Sequence, residues 1–149
     1  MTIDERVRRI EDVQEIVRLK TRYTELADSS RDKPHKGEEI SRLFTGDAVF
    51  HIVATDSPPL VGSAAIRERF DDDTLYPYSY HLLGNPHIEV QGDQATGRWH
   101  VAVVFNRRNL GSMWTTAFYE NLFVRTGEGW RIKSLKCSAS AVAPFGQGW

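Results

Sequence analysis

Asp28 and His81 are the two side chains whose combination supports the most definite chemistry in this sequence. A carboxylate in contact with an imidazole fixes the ring tautomer and stabilises the protonated form, which makes a general acid/base dyad inside an apolar pocket. Residue type alone does not join them, because the chain offers 5 His and 20 Asp plus Glu. Their surroundings must do so. Asp28 closes a long helical stretch, where a carboxylate is unfavourable against the helix dipole and gives no capping advantage. A solvated helix-end acid is the ordinary alternative. His81 stands in YSYHLLGN, where alternation puts Ser79, His81 and Leu83 on one face and Tyr80, Leu82 and Gly84 on the other. Most interior histidines merely satisfy a hydrogen bond, so an inward orientation is not by itself catalytic.

The elements that must position this pair follow from periodicity. Ile10, Val13, Ile16, Val17, Tyr23, Leu26 and Ala27 recur at helical spacing and predict a helix from about residue 4 to 29 with one buried stripe. The segment SSRDKPHKG follows, and its Pro34 disfavours helical geometry at Lys33. GEEISRLF predicts a short second helix over roughly 37 to 44, AVFHIVA a strand over 48 to 54, and SAAIRERF a third helix that Ser63 could cap. From Tyr78 onward, four strand-like stretches separated by QGDQ, RNLGS and GEG predict a meander of antiparallel hairpins. VAPFGQGW reads as a partly ordered tail with apolar anchors that could close over the pocket. Helices gathered first and a long sheet second is the α+β layout, a cone-shaped barrel with N-terminal helices packed on a curved, mostly antiparallel sheet.

Composition narrows the possible functions. With 149 residues and 40% hydrophobic content, the chain fits one domain over 1–149. A formal charge of −1 supplies no basic field, so nucleic acid and anionic membrane are not expected partners. The single cysteine, Cys137, excludes an intramolecular disulfide and suits a cytoplasmic location, and the charged N-terminal stretch has no apolar leader segment. Neither a zinc-type histidine pair, a phosphate loop nor a nucleophile elbow occurs, so no metal or cofactor is indicated. Asp71, Asp72 and Asp73 read as a solvated loop, since consecutive acids do not readily aim at one ion.

Other side chains could complete a pocket. Tyr23 shares the buried helical stripe and has a hydroxyl left to meet a substrate oxygen. Phe50, Trp99, Phe105, Trp114 and Tyr119 offer aromatic lining, although aromatic strand residues are more often plain core. Asn121 is a further candidate contact. Like His51 and His100, it lies on a strand whose inward parity the sequence leaves open, while His35 and His87 read as solvated.

Five strings in order resemble the SnoaL-like branch of the nuclear transport factor 2-like superfamily: IVRLKTRYTELAD (16–28), ISRLFTGDAVF (40–50), LVGSAAIRERF (60–70), HLLGNPHIEVQGDQATGRW (81–99) and YENLFVRTGEGWRI (119–132). They span most of the chain. That branch includes polyketide cyclases, scytalone dehydratase, bile acid dehydratase and hexachlorocyclohexane dehydrochlorinase. The resemblance implies that Asp28 and His81 form the acid/base pair, that Tyr23 lies beside them, and that the protein is a homo-oligomer, a dimer or trimer. It also shows departures. The segment after Asp28 looks longer than usual, and where scytalone dehydratase has a second histidine this chain offers only Phe105, Asn106 or Arg107.

The expected function is a cofactor-independent lyase or isomerase, a dehydratase, cyclase or double-bond isomerase, acting on a small, largely apolar organic molecule such as a polyketide, terpenoid or sterol-like metabolite. His81 would abstract the proton, Asp28 hold the ring, and Tyr23 bind the substrate oxygen or leaving group. The alternative is a non-catalytic ligand-binding or assembly module, like the small subunit of a ring-hydroxylating dioxygenase. Distance decides between them: a separated Asp28 and His81, or a pocket filled by side chains, would favour the second.

Overall fold

The first helix, α1 (Ile3–Ala27), starts at a capping box in which the Thr2 hydroxyl accepts from the Glu5 backbone N–H and the Glu5 carboxylate accepts from the Thr2 N–H. A computed structural model describes residues 1–30, 36–53 and 57–148. The buried stripe of α1 begins at Asp12 and runs through Ile16, Lys20, Tyr23, Leu26 and Ala27. Ile10, expected in that stripe, is 58% exposed because the first turns project beyond the sheet. The helix ends at Ala27 rather than 29, since Asp28 turns to extended backbone (φ −61°, ψ 134°).

The second helix is shorter than expected. α2 (Gly37–Ser41) stops early because Phe44 already begins β1 (Phe44–Ile52), where it packs in the core. A brief β2 (Leu60–Val61) pairs with β1 and leads into α3 (Ser63–Asp71). Ser63 is the first helical residue and not the cap; Gly62, at φ 93°, occupies that position without a side-chain bond. Pro34 and His35 lie outside the described residues.

Four long strands complete the chain: β3 (Tyr78–Gln91), β4 (Gln94–Arg107), β5 (Gly111–Thr126) and β6 (Gly129–Pro144). The six strands order as β2-β1-β6-β5-β4-β3. Every pair is antiparallel except β1 with β6, which is parallel and brings an early strand beside the last one. The expected tail begins as strand, with β6 reaching Pro144, and beyond it the Gln147 carbonyl accepts from the Trp114 indole.

Alternation on these strands creates the inner face. On β4, Ala95, Trp99 and Val101 are buried, and on β5, Ala117, Tyr119 and Phe123. They meet Ile16, Tyr23 and Leu26 of α1 and Ile66 and Phe70 of α3 in one core. Gly97 carries no side chain because Trp99 and Phe123 lie across it, and an added Cβ would stand 2.5 Å from the indole. Register shifts bend the sheet, one on β3 between Gly84 and His87 and two on the β5–β6 pair. On β3 the extra residue includes Asn85 at φ 51°, and Pro86 is tolerated because β3 is an edge strand. Helices on one side of a bent sheet leave the end near α3 and the start of β3 unfilled.

Candidate active site

Paired serines bring the end of α1 onto β3. Ser29 and Ser79 exchange backbone bonds, with N···O distances of 3.1 and 2.8 Å, and the Ser79 hydroxyl donates to the Ala27 carbonyl at 3.0 Å. Ser29 in turn donates its hydroxyl to the Tyr76 carbonyl at 2.7 Å. This junction fixes the residue between Ala27 and Ser29 against the strand two positions beyond Ser79.

Asp28 and His81 consequently touch. One carboxylate oxygen of Asp28 lies 2.7 Å from His81 Nδ1 and also accepts the His81 backbone N–H at 2.8 Å. The backbone bond holds the carboxylate still, so the Nδ1 contact sets both the ring's orientation and its tautomer: Nδ1 donates and Nε2 is left as the basic nitrogen. Their side chains are 12% (His81) and 21% (Asp28) exposed, and the His81 ring borders a cavity of about 300 Å³. The helix-dipole objection to Asp28 is met by these two donors, because the residue has left the helix.

Tyr23 lines the same cavity from α1 and is 2% exposed. Burial pushes its phenol far above the ordinary range, and burial and the neighbouring Tyr23 do the same for Tyr119. The Tyr23 and Tyr119 hydroxyls interact with each other, and either can be the donor. Both phenols are held neutral. Cys137 borders the cavity too, with its thiol pushed up to about 11 by burial, and is a neutral wall.

The other expected pocket residues divide. Phe50, Phe105 and Tyr119 line the cavity. Trp99, Trp114 and Asn121 do not: Trp99 is sealed beneath the floor at 3% exposure, and the Trp114 indole is turned to the C-terminal carbonyl of Gln147. Asn121 is buried and accepts from the Lys20 ammonium at 3.1 Å, on the core side of Tyr119. His51 alternates with the inward Phe50 and Ile52 and faces away, His100 is exposed against the Phe118 ring, and His87 is exposed beside Glu89. Asp71 pairs with Arg67, and Asp72 with Thr74 and Arg108; no metal-holding group of acids, histidines or cysteine occurs among the described residues.

Three residues of consequence were not anticipated. Lys20 is fully buried over the Tyr119 ring (3.5 Å) and the Tyr23 ring (4.5 Å), and burial holds its amine well below the usual lysine range. Its place in the series Ile16, Lys20, Tyr23, Ala27 was the available signal. Arg69 and Tyr76 both border the cavity. Arg69 sits one turn after the buried Ile66, but its charged neighbours Arg67 and Glu68 make the stretch read as surface.

Comparison with known proteins places this arrangement. The SnoaL-like domain model matches residues 8–136. The chain belongs to the SnoaL-like family. It is 29% identical over 130 residues to the uncharacterized protein Rv2910c of Mycobacterium tuberculosis, covering 85% of this chain and 84% of that one. A nuclear transport factor 2-like protein with a cystatin-like fold from Novosphingobium aromaticivorans is 31% identical, with a TM-score of 0.73 over 93% of this chain and 88% of the other. A type 2 hexachlorocyclohexane dehydrochlorinase superposes with a TM-score of 0.78 over 97% and 93% of the two chains at 17% identity. This last likeness concerns the fold, the α+β arrangement that a SnoaL-like chain shares with such enzymes. No helix among the described residues is long and apolar enough to cross a membrane.

Proposed function

We propose that this SnoaL-like protein is a cofactor-independent lyase or isomerase that removes a proton from carbon in a small, mainly apolar substrate. The observation that carries this reading is the 2.7 Å contact between Asp28 and His81 at the wall of an open cavity. A direct contact and an unfilled cavity both favour it over a non-catalytic assembly module.

In this reading a carbonyl oxygen of the substrate accepts the Tyr23 O–H. His81 Nε2 takes the proton from the adjacent carbon, and the electron pair moves into an enolate whose charge that phenol stabilises. The imidazolium, held through Nδ1 by Asp28, then returns the proton. Delivered to a β-hydroxyl, it releases water and leaves the conjugated enone; delivered to the γ-carbon of a β,γ-enone, it completes a double-bond shift. Both outcomes balance with one base and one proton. Phe50, Phe105 and the cavity's aliphatic wall exclude water and strengthen these charges.

The test is a screen of cyclic β-hydroxy ketones and β,γ-enones, followed by the ultraviolet absorbance of the conjugated product. Turnover that vanishes in His81→Ala supports the reading. Turnover that survives in both His81→Ala and Asp28→Asn rules it out. The outer face of the sheet exposes Tyr80, Leu82, Phe118 and Leu122, which supports self-association into a homo-oligomer. Light scattering that returns a monomer mass would remove that part.

A further inference from the structure

The cavity holds two guanidinium groups that the acid/base chemistry does not use. Arg69, from the last turn of α3, and Arg107, from the end of β4, both border it and both pack on the ring of Tyr76, with Cζ to centroid distances of 5.0 and 5.9 Å. Arg69 also lies 5.4 Å from the Phe70 ring centre. Two aromatic walls therefore fix the plane of this guanidinium and shield it from water.

Its hydrogen-bonding is incomplete. Arg69 Nη1 is buried and has no hydrogen-bond partner among the described residues. Favourable interaction with the α3 C-terminus would account for an arginine directed to solvent, but not for one with a sealed, unpaired N–H group. Four arginines among the described residues are partly buried: Arg69, Arg107, Arg125 and Arg131. Arg125 pairs with Asp12 and Asp93, and Arg131 with Glu128. Neither of the two at the cavity forms a contact ion pair among the described residues; the charge of Arg69 is felt by the Asp72 carboxylate, which itself bonds Thr74. A partly buried guanidinium without a paired anion costs stability, so the partner of the two that border the cavity is expected to arrive with the ligand.

We propose that the cavity takes an organic anion, a flat apolar body carrying a carboxylate, and that Arg69 binds this carboxylate with Arg107 adding charge beside it. Guanidinium matches a carboxylate through two parallel N–H···O bonds, which an amide or alcohol does not reproduce. The volume of about 300 Å³ suits one or two fused rings. Arg69 is also close enough to Tyr23 for its charge to favour the ionised phenol, which places the anion site and the proposed donor in one compartment. The inference rests on the reading of this cavity as the substrate site and narrows the substrate to carboxylic acids.

The experiment compares equilibrium binding of 2-naphthoate and its neutral isostere 2-naphthamide by calorimetry. Wild type is expected to prefer the acid by about tenfold or more, as one charge-assisted pair provides. Arg69→Gln is expected to abolish that preference while binding the amide as wild type does, which also shows that the variant is folded. Arg107→Gln is expected to reduce the preference by a smaller factor. Equal affinity of wild type for the two ligands, no measurable binding of either, or an acid preference that survives in Arg69→Gln overturns the proposal. Binding needs no turnover, so His81→Ala is measured alongside. His81→Ala is expected to keep the acid preference while losing proton transfer, whereas a wild type without proton-transfer activity but with the acid preference intact would sink the acid/base reading and leave the anion site standing.

Discussion

Two of the polar pairs that tie α1 and its cap to the sheet stand about two turns apart, and they are built in opposite ways. Asp28 and His81 sit at the cavity wall, with one ring nitrogen committed and the other left toward open space. Lys20 and Asn121 lie on the far side of Tyr119, both buried, with the Asn121 Nδ2 group lacking a partner among the described residues. The lysine has the more disturbed ionisation, its amine held well below the ordinary value by burial, yet it reaches no substrate space. A perturbed pKa is common at catalytic sites but does not define one. Access does. The cavity edge separates the pair that can exchange a proton with a ligand from the pair that can only pack.

Substitution breaks this contrast most strongly at His81. His81→Ala is expected to lower proton transfer by a factor on the order of 10² to 10⁴, with little change in stability, because the ring is at a cavity edge rather than in the core. Asp28→Asn is expected to cost on the order of 10², since an amide can still accept the His81 backbone N–H but no longer stabilises the imidazolium. Tyr23→Phe keeps the ring packing and removes the donor, for an expected loss of about tenfold. Steady-state rates on any substrate found in the enone screen order these three.

The enclosed pair should respond in stability instead. Asn121→Leu leaves the Lys20 amine without its acceptor and is expected to cost about 2–4 kcal/mol in urea unfolding. The double variant Lys20→Met with Asn121→Leu removes both polar groups and is expected to recover that loss and exceed wild type by about 1–3 kcal/mol. A neutral Asn121→Leu would show that the amine finds other partners. Because the folded lysine binds its proton more weakly than the unfolded one, the unfolded chain holds more protons between the depressed value and 10.5. Wild-type stability should therefore climb as pH rises through that interval, and the slope should be absent in Lys20→Met.

An effect outside catalysis and folding concerns Cys137. With its thiol raised from 9.0 to about 11, the thiolate fraction near neutrality falls about 100-fold, so alkylation by iodoacetamide should slow by roughly that factor relative to the unfolded chain. Reaction at the unfolded rate would mean that the cavity wall at Cys137 is open to water.

What could be read from the sequence follows the same boundary. Periodicity located α1 and the four long strands because repeated burial on one face leaves a repeated pattern, and alternation in YSYHLLGN put His81 on one face with Ser79 and Leu83 without saying that this face is the inner one. Element ends shifted where tertiary contacts overrode local preference, as at Ala27, where the Ser29–Ser79 junction draws the chain out of the helix. Aromatic residues were harder. Trp99 and Phe105 share β4 with identical propensities, and only the bend of the sheet puts one under the floor and the other at the cavity. Lys20 and Arg69 went unnoticed because charged residues at helical spacing are nearly always solvated, and nothing in RERF marks which cation turns inward.

The central claim is that proton transfer belongs to the cavity-edge pair and not to the buried one. The most direct measurement is solvent-deuterium exchange at the α-carbon of a bound cyclic ketone, such as 2-tetralone, followed by NMR in wild type, His81→Ala and Lys20→Met. The structure predicts exchange in wild type and in Lys20→Met, and its loss in His81→Ala. Exchange that persists without the His81 imidazole, or disappears with the Lys20 amine while the fold is intact, would contradict it.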